Sequence, residues 1–410
     1  MRPYVIVGNG VAAISAVEAI RSHRDTTPIL ILTDQECAFY SRPCLYYILL
    51  GRIERDDAWG RPESWYSEHA AELRCNTRVT RVMPEEHVVE IEGNARIEYS
   101  KLLLALGTRG RLLPWAEQGL GGIVTLNTLL DVTSISDVLS SARKAVVAGG
   151  GLTSIELVEV CRHWGLETTF VMRGERFLDR QLTNDEAELV HWRLRDLGVG
   201  IRTNEEIAGV QGMLGRVQSA TLRNSSEEIA CELAGCAVGV VPNKGLVQEA
   251  GGETAQGIVT DDHMRTTLPD VWAAGDAVQV RGPGGTPAQS EMLWYAAGDM
   301  GRVAGANVAG GDASYRPRVF LNVSEFCGLD FAGVGQIVPG QPDVEEHVVA
   351  DRDGAGSIRL VTRNGALVGA CFLGDVRLAD VARGVIGAGA RLADLPDSHP
   401  LRTLLRRASP

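Results

Sequence analysis

Two short, wholly apolar runs, each cut off by glycines and followed by a helix-period pattern, dominate the first 172 residues. The first is Tyr4-Val5-Ile6-Val7, then Gly8-Asn9-Gly10, an amphipathic stretch from Val11 to about His23, and Ile29-Leu30-Ile31-Leu32. The second spans 145–172: Val146-Val147-Ala148, then Gly149-Gly150-Gly151, and an amphipathic helix that carries Glu156. An apolar run without polar alternation, bounded by glycine, is the pattern of a strand covered on both faces, as in parallel sheets. Each block therefore predicts a strand–turn–helix–strand unit.

Elsewhere the pattern changes period. His87–Tyr99 alternates around Gly93-Asn94 and predicts a hairpin. It leads into the apolar strand Leu102-Leu103-Leu104-Ala105-Leu106 before Gly107. A helix is predicted over Asp185–Leu197, with strands following to about Ala234. Gly257–Asp276 reads strand, loop, strand. Pro283–Pro287 is a Gly/Pro loop, and a small-residue helix is predicted from about Ser290 to Ala309. From Tyr315, alternating segments (Val319–Val323, Ile358–Thr362, Leu367–Phe372) and one helix near Leu378–Ala388 predict a separate α+β unit. The fold class is α/β: two Rossmann-like dinucleotide-binding domains plus a C-terminal α+β interface domain. The predicted order is 1–112 and 236–312 for the first domain in two parts, 113–235 for the second, and 313–410 for an interface or dimerisation domain.

Length and composition agree with this division. A chain of 410 residues is too long for one ordinary core. An apolar content of 45% with 22% charged residues is that of a globular protein, and no apolar run reaches membrane-spanning length. The first strand begins at Tyr4, leaving no space for a cleavable leader, so a cytoplasmic location is expected. A net charge of −12 argues against nucleic acid and anionic membranes as partners. The basic tail Leu401–Arg407 reads as a solvated helix end in preference to a docking element. The eight cysteines read as free thiols, and Cys231 and Cys236, spaced C-x4-C in an apolar stretch, as buried structural ones. No metal site is predicted.

The turns carry the chemistry. Gly8-x-Gly10-x-x-Ala13, with Val11 and Ala12 opening the helix, brings backbone close to a pyrophosphate at a helix N-terminus. Asp34, Gln35 and Glu36 follow the second strand, where such a unit places an acid for a ribose hydroxyl. Gly149-x-Gly151-x-x-Ser154, with Leu152 and Thr153, repeats the phosphate turn. Two such turns imply two dinucleotides and electrons passing between them. Ala274-Gly275-Asp276, at a strand end, offers a carboxylate to a ribityl hydroxyl; a plain turn with a helix cap is the other reading of that dipeptide.

Together these pieces resemble the FAD oxidoreductases that depend on pyridine nucleotides and carry two dinucleotide-binding domains. The resemblance covers essentially the first 310 residues: the N-terminal turn, Leu104-Ala105-Leu106-Gly107-Thr108, the Gly149–Glu156 turn, and RTTLPDVWAAGD at 265–276. Phe39-Tyr40-Ser41-Arg42-Pro43-x-Leu45 resembles the Tyr-x-Arg-Pro segment of rubredoxin, ferredoxin and nitrite reductase flavoproteins. The resemblance implies FAD along Gly8, Gly10, Val11, Ala12, Ala13, the 34–36 segment, Arg42, Pro43, Val79, Ala105, Leu106, Gly107, Gly275, Asp276 and Trp294. It implies NADH or NADPH at Gly149, Gly151, Leu152, Thr153, Ser154, Met172 and Arg173. Glu156, placed on the first turn of its helix, would orient the nicotinamide.

Departures from the family narrow the chemistry. Glutathione-reductase-like members carry a redox dithiol and a C-terminal His-Glu pair. Neither is here, and His399 in Asp-Ser-His-Pro does not recreate the pair. Members with one redox cysteine would align it on Pro43. Cys44 lies one residue away and reads as structural, with a redox role as the alternative. Tyr47 falls where ferredoxin reductases often carry a lysine near the flavin N5. Met172-Arg173 replaces the acid of NADH-preferring relatives and, with Arg176 and Arg180 but also Asp179 downstream, predicts tolerance of both coenzymes. The resemblance thus implies hydride transfer from nicotinamide to FAD, then direct electron transfer to an external acceptor: a ferredoxin- or rubredoxin-like protein or a partner enzyme. Two alternatives stay open, an NADH oxidase or disulfide reductase using Cys44, and a flavoprotein whose redox state controls association. The C-terminal domain is expected to cover the flavin or form a homodimer. Phe326, Cys327 and Phe331 are candidates to line the flavin region, with core packing as the alternative.

Overall fold

The computed structural model describes residues 2–36, 38–282, 285–288, 290–350 and 356–408. Cys37, and Pro283 and Gly284 of the expected Gly/Pro loop, lie outside the described residues. The chain divides into two compact units, Met1–Arg109 with Val240–Pro317, and Gly110–Gly239 with Arg318–Pro410.

The first unit is built on a five-stranded parallel sheet in the order Val271–Ala273, Lys101–Leu104, Tyr4–Val7, Ile29–Leu32, Ala71–Arg74. The unalternating Val/Ile/Leu runs are fully buried, as a sheet covered on both faces requires. The Val11–Ser22 helix buries Ala12, Ala13, Ile14, Ala16, Val17 and Ile20. Against it lies the Trp294–Val308 helix, whose small residues allow near backbone contact. A Cβ added at Gly301 would stand 2.8 Å from the Ala12 Cα, and one at Gly305 would stand 2.7 Å from the Ala16 Cα. This helix begins at Trp294, four residues later than expected from its composition. The preceding Leu293 is extended, and Glu291 is engaged by the Tyr315 hydroxyl at 3.1 Å. The hairpin around Gly93-Asn94 forms as expected, pairing Val88–Ile91 with Arg96–Glu98.

The second unit repeats the arrangement in the order Gly200–Arg202, Glu167–Val171, Lys144–Gly149, Leu233–Ala237, Ile123–Val124, again all parallel. The Asn184–Asp196 helix opens with a capping box: Thr183 Oγ1 accepts from the Glu186 N–H at 3.3 Å, and Glu186 Oε2 accepts from the Thr183 N–H at 2.8 Å. Residues 318–408 add a five-stranded antiparallel sheet in the order Leu321–Phe326, Leu329–Gly335, Ala366–Leu373, Ser357–Arg363, Glu345–Ala350, with the Ala379–Gly387 and Pro400–Ala408 helices. The first of these strands starts at Leu321, two residues past the expected Val319. Arg359, wholly buried in this sheet, donates to Glu186 Oε1 at 2.9 Å and to the carbonyls of Gln181 and Ile337 at 2.7 and 3.1 Å.

Two expectations about residues 318–408 are corrected or refined here. Phe326 and Phe331 are core residues, not lining: Phe326 packs 5.4 Å from Phe177 and 5.9 Å from Phe331, and all three are buried. The basic tail forms a helix, and Arg402 and Arg406 pair with Asp397 at 3.1 and 2.6 Å. Among the described residues no helix is long and apolar enough to cross a membrane.

Candidate functional site

In the first unit the N-terminal turn is shaped by the strand beside it. Gly8 has φ 101°, and a Cβ there would overlap the Ala105 carbonyl, so only glycine fits. Gly10 caps the Val11–Ser22 helix with no side chain bonding the helix end, and the space above its Cα is open. The first amide to bond back into the helix is that of Ile14, to the Gly10 carbonyl at 3.1 Å. The amides of Val11, Ala12 and Ala13 thus have no helical acceptor and point out of the helix end, the requirement for holding a phosphate. Asn9 is tied to the Tyr66 hydroxyl at 3.0 Å, and that hydroxyl also accepts the Phe39 N–H at 3.0 Å.

The other residues expected along FAD gather around this turn. A Cβ on Gly275 would touch the Ala12 Cβ at 3.2 Å, so the 274–276 segment lies directly on the phosphate helix. Asp276 follows it. Burial raises its carboxyl, and the Arg42 guanidinium opposes that effect without cancelling it. No side-chain or backbone group among the described residues donates a hydrogen bond to that carboxylate. Arg42 also stands 3.6 Å from where a Gly107 Cβ would be. The Leu106-Gly107 turn is held by Asn243, whose Nδ2 donates to the Leu106 carbonyl at 2.9 Å. Pro43 caps the short Cys44–Leu49 helix; Cys44 and Tyr47 are half-buried, and the Tyr47 ring lies 5.1 Å from that of Tyr46. Trp294 stacks on Phe39 at 5.8 Å.

At the end of the second strand, Asp34 and Glu36 are exposed, Glu36 beside Arg55 at 3.4 Å. Gln35 accepts from the Tyr40 hydroxyl at 2.7 Å. The carbonyls of Thr33 and Gln35 accept from the amides of Thr77 and Asn76, which brings the buried Val79 alongside. Orphan amides, open space over Gly10 and a desolvated carboxylate lacking a protein donor together suit a ligand with phosphates and hydroxyls, as FAD is.

The second unit holds the matching turn. A Cβ at Gly149 would overlap the Ala237 carbonyl and reach 2.5 Å from the Ser154 Cβ, while the space over Gly150 and Gly151 is open. Gly151 caps the Leu152–His163 helix, and Ser154 Oγ donates to the Gly151 carbonyl at 2.6 Å. Glu156 is therefore not on the first turn. With Gly151 as the cap and Leu152 and Thr153 in the first turn, Glu156 opens the second. Burial, and then Glu159, push its carboxyl up to about 7. Met172 is buried and offers no carboxylate, and Arg173 is 82% exposed, 3.9 Å from Glu206. Arg176 is tied to the Leu182 and Asp179 carbonyls and to Asn184, so it is committed to the loop.

Sequence reasoning missed Asn9, Tyr66, Asn243, Ala237 and Glu159. Asn9 stood in plain view inside the turn. Asn243 and Ala237 act through distant backbone and leave no local signal. Cys231 and Cys236 are buried as expected, and burial raises both thiols, Cys231 to about 12.

The sequence model of the pyridine nucleotide-disulphide oxidoreductase family matches residues 2–301. The chain is 28% identical over 387 residues to rubredoxin-NAD(+) reductase of Pseudomonas putida, covering 90% of this chain and 99% of that protein. It is 30% identical over 284 residues to the nitric oxide reductase FlRd-NAD(+) reductase of Vibrio vulnificus strain YJ016, covering 68% of this chain and 73% of that one. A crystal structure of the covalent putidaredoxin reductase–putidaredoxin complex shares the fold, with a TM-score of 0.87 over 99% of both chains at 20% identity.

Proposed function

The chain belongs to the pyridine nucleotide-disulphide oxidoreductase family and is an FAD-dependent NAD(P)H oxidoreductase; on that premise we propose that it delivers electrons directly to a small iron–sulfur or rubredoxin-like protein. The chemistry that bound FAD would supply is acceptance of a hydride, two electrons and a proton, from reduced nicotinamide, with the electrons passed on singly and the proton returned to solvent. The amides at Val11–Ala13 would hold the FAD phosphates, Asp276 would accept from a hydroxyl, and Arg42 partly offsets the burial of that carboxylate. Those residues belong to Met1–Arg109 with Val240–Pro317, which we assign to FAD. The Gly149–Ser154 turn holds the coenzyme phosphates, and Glu156, its carboxyl pushed up to about 7, offers its protonated form as a hydrogen-bond donor to the nicotinamide side. Both NADH and NADPH are accepted, because Met172 supplies no acid for the 2′-hydroxyl and Glu206 shares the charge of Arg173.

The observation that carries the partner class is the match to a rubredoxin-NAD(+) reductase over 99% of its length. The test is anaerobic stopped-flow reduction of the FAD-loaded protein by NADH and NADPH, followed by mixing with purified rubredoxin or [2Fe–2S] ferredoxin. Reduction of the carrier at the rate of flavin reoxidation is expected. A reduced flavin that ignores both carriers but reoxidises with a disulfide overturns the reading.

A further inference from the structure

The helix that follows the second phosphate turn carries a second carboxylate one turn beyond Glu156. Glu159 is half-buried, and its Oε2 accepts the backbone N–H of Cys327 at 2.8 Å. Cys327 and Gly328 are the two residues joining Leu321–Phe326 to Leu329–Gly335, and both have positive φ, 54° and 68°. That is the left-handed pair of a tight two-residue hairpin, a conformation a residue with a Cβ adopts only when held. Phe326, in the Phe177–Phe331 cluster, fixes the turn from behind. The donor that holds Glu159 thus sits on a turn anchored in the core through Phe326. On the helix, residues three apart are surface neighbours.

We propose that Glu159, three residues further along the same helix and pinned by the Cys327 N–H, is a positioning residue for Glu156: it fixes a second carboxylate next to Glu156 and favours the form of that carboxyl that donates a hydrogen bond. The proposal rests on the reading that this turn holds the nicotinamide coenzyme. The direction of the Glu156 titration supports it, with burial the larger cause and Glu159 the second. The other ionisable groups on the elements packed against this helix do not compete. On the Leu321–Phe326 strand the charged residue is Glu325, an acid like Glu159. Lys144 and Glu167 pair with each other at 3.1 Å, at the ends of their strands remote from the turn. The Leu233–Ala237 strand has no charged residue. Burial and Glu159 hold the Cys327 thiol up at about 12, so it stays neutral, and Arg193 acts on that thiol in the opposite sense.

Two substitutions separate charge from anchoring. Glu159→Gln keeps an acceptor for the Cys327 N–H and removes the charge, whereas Glu159→Ala removes both. The Glu156 carboxyl is titrated in the FAD-loaded protein by infrared difference spectroscopy, with Glu156→Gln as the subtraction that identifies its band. The pH dependence of flavin reduction by NADH is recorded in parallel. In both Glu159 variants the infrared midpoint is expected to fall by roughly 0.5 to 1 pH unit, a three- to tenfold loss of proton affinity. The kinetic midpoint moves with it. An infrared midpoint that stays at the wild-type value in Glu159→Gln overturns the proposal, whatever the kinetics. A wild-type flavin that neither coenzyme reduces overturns the functional reading instead, and the infrared midpoint still decides the place of Glu159.

Discussion

Adding one methyl group at Gly301 tests whether the FAD site depends on the close approach of two helices. The Cβ of Gly301→Ala would stand 2.8 Å from both the Cα and the carbonyl carbon of Ala12. Carbon atoms pack comfortably at about 3.5–4.0 Å, so the helices must part by roughly 1 Å. Overpacking of this kind costs about 1–3 kcal/mol. Replacing glycine by alanine inside a helix returns about 1 kcal/mol of that. Gly298 supplies the control, because a Cβ there meets the Ser15 Oγ at 3.4 Å, an ordinary contact. Gly298→Ala should therefore hold or raise stability, while Gly301→Ala falls below it by about 1–3 kcal/mol. Ala12 is also the second residue of the phosphate helix and touches Gly275. The displacement is thus felt at the proposed FAD site, and a loss of about 1–2 kcal/mol there weakens FAD affinity about 5- to 30-fold. Fluorescence titration of the FAD-free proteins, with thermal melts in parallel, reads both quantities. Equal FAD affinities for the two variants would refute the argument.

Further substitutions probe other parts of the molecule. Glu186→Gln leaves the buried Arg359 with the Glu346 carboxylate, 3.5 Å away, as its counter-charge and should cost up to about 3–5 kcal/mol in denaturant unfolding; Glu186→Gln with Arg359→Met, which keeps the acceptor for the Thr183 N–H, should recover part of it. In the FAD-free protein, burial lets Asp276 hold its proton to higher pH than the unfolded chain does. Stability therefore falls as pH rises out of the carboxylate range, and the wild-type minus Asp276→Asn difference in unfolding free energy should show that slope. Cys44→Ser should leave coenzyme-driven reduction of a dye acceptor unchanged; loss of turnover would move the chemistry onto that thiol.

The parts legible in the sequence were those written in contiguous residues. Apolar runs ending in glycine gave away both parallel sheets, while the strand carbonyls that exclude a Cβ at Gly8 and Gly149, those of Ala105 and Ala237, lie too far along the chain to be read locally. The turn of Glu156 was misjudged by one because it was counted from Ser154, the third small position of the motif, and not from the cap, which the structure makes Gly151. Arg176 looked available for a coenzyme phosphate because the backbone carbonyls that engage it, those of Asp179 and Leu182, carry no identity a sequence reader can see. Phe326 and Phe331 alternate along their strands as lining residues would. Only the arrival of Phe177 from another part of the chain makes them core. Asn243 reaches Leu106 across 137 positions of sequence, a separation at which no periodicity speaks.

The FAD-assigned unit is assembled from two separated stretches of chain, and this sets an order on biosynthesis. Its edge strand Val271–Ala273 leaves the ribosome well after its neighbour Lys101–Leu104, by roughly 10–30 s at ordinary elongation rates. The helix that brackets the phosphate turn comes later still. On the proposed assignment, flavin capture waits until the strands of Gly110–Gly239 have emerged, and Glu186 in turn has no counter-ion until Arg359 is made. A nascent chain stalled between the two glycine-rich blocks exposes a four-stranded sheet with a bare edge, a form for chaperones to shield rather than a flavin-loading intermediate.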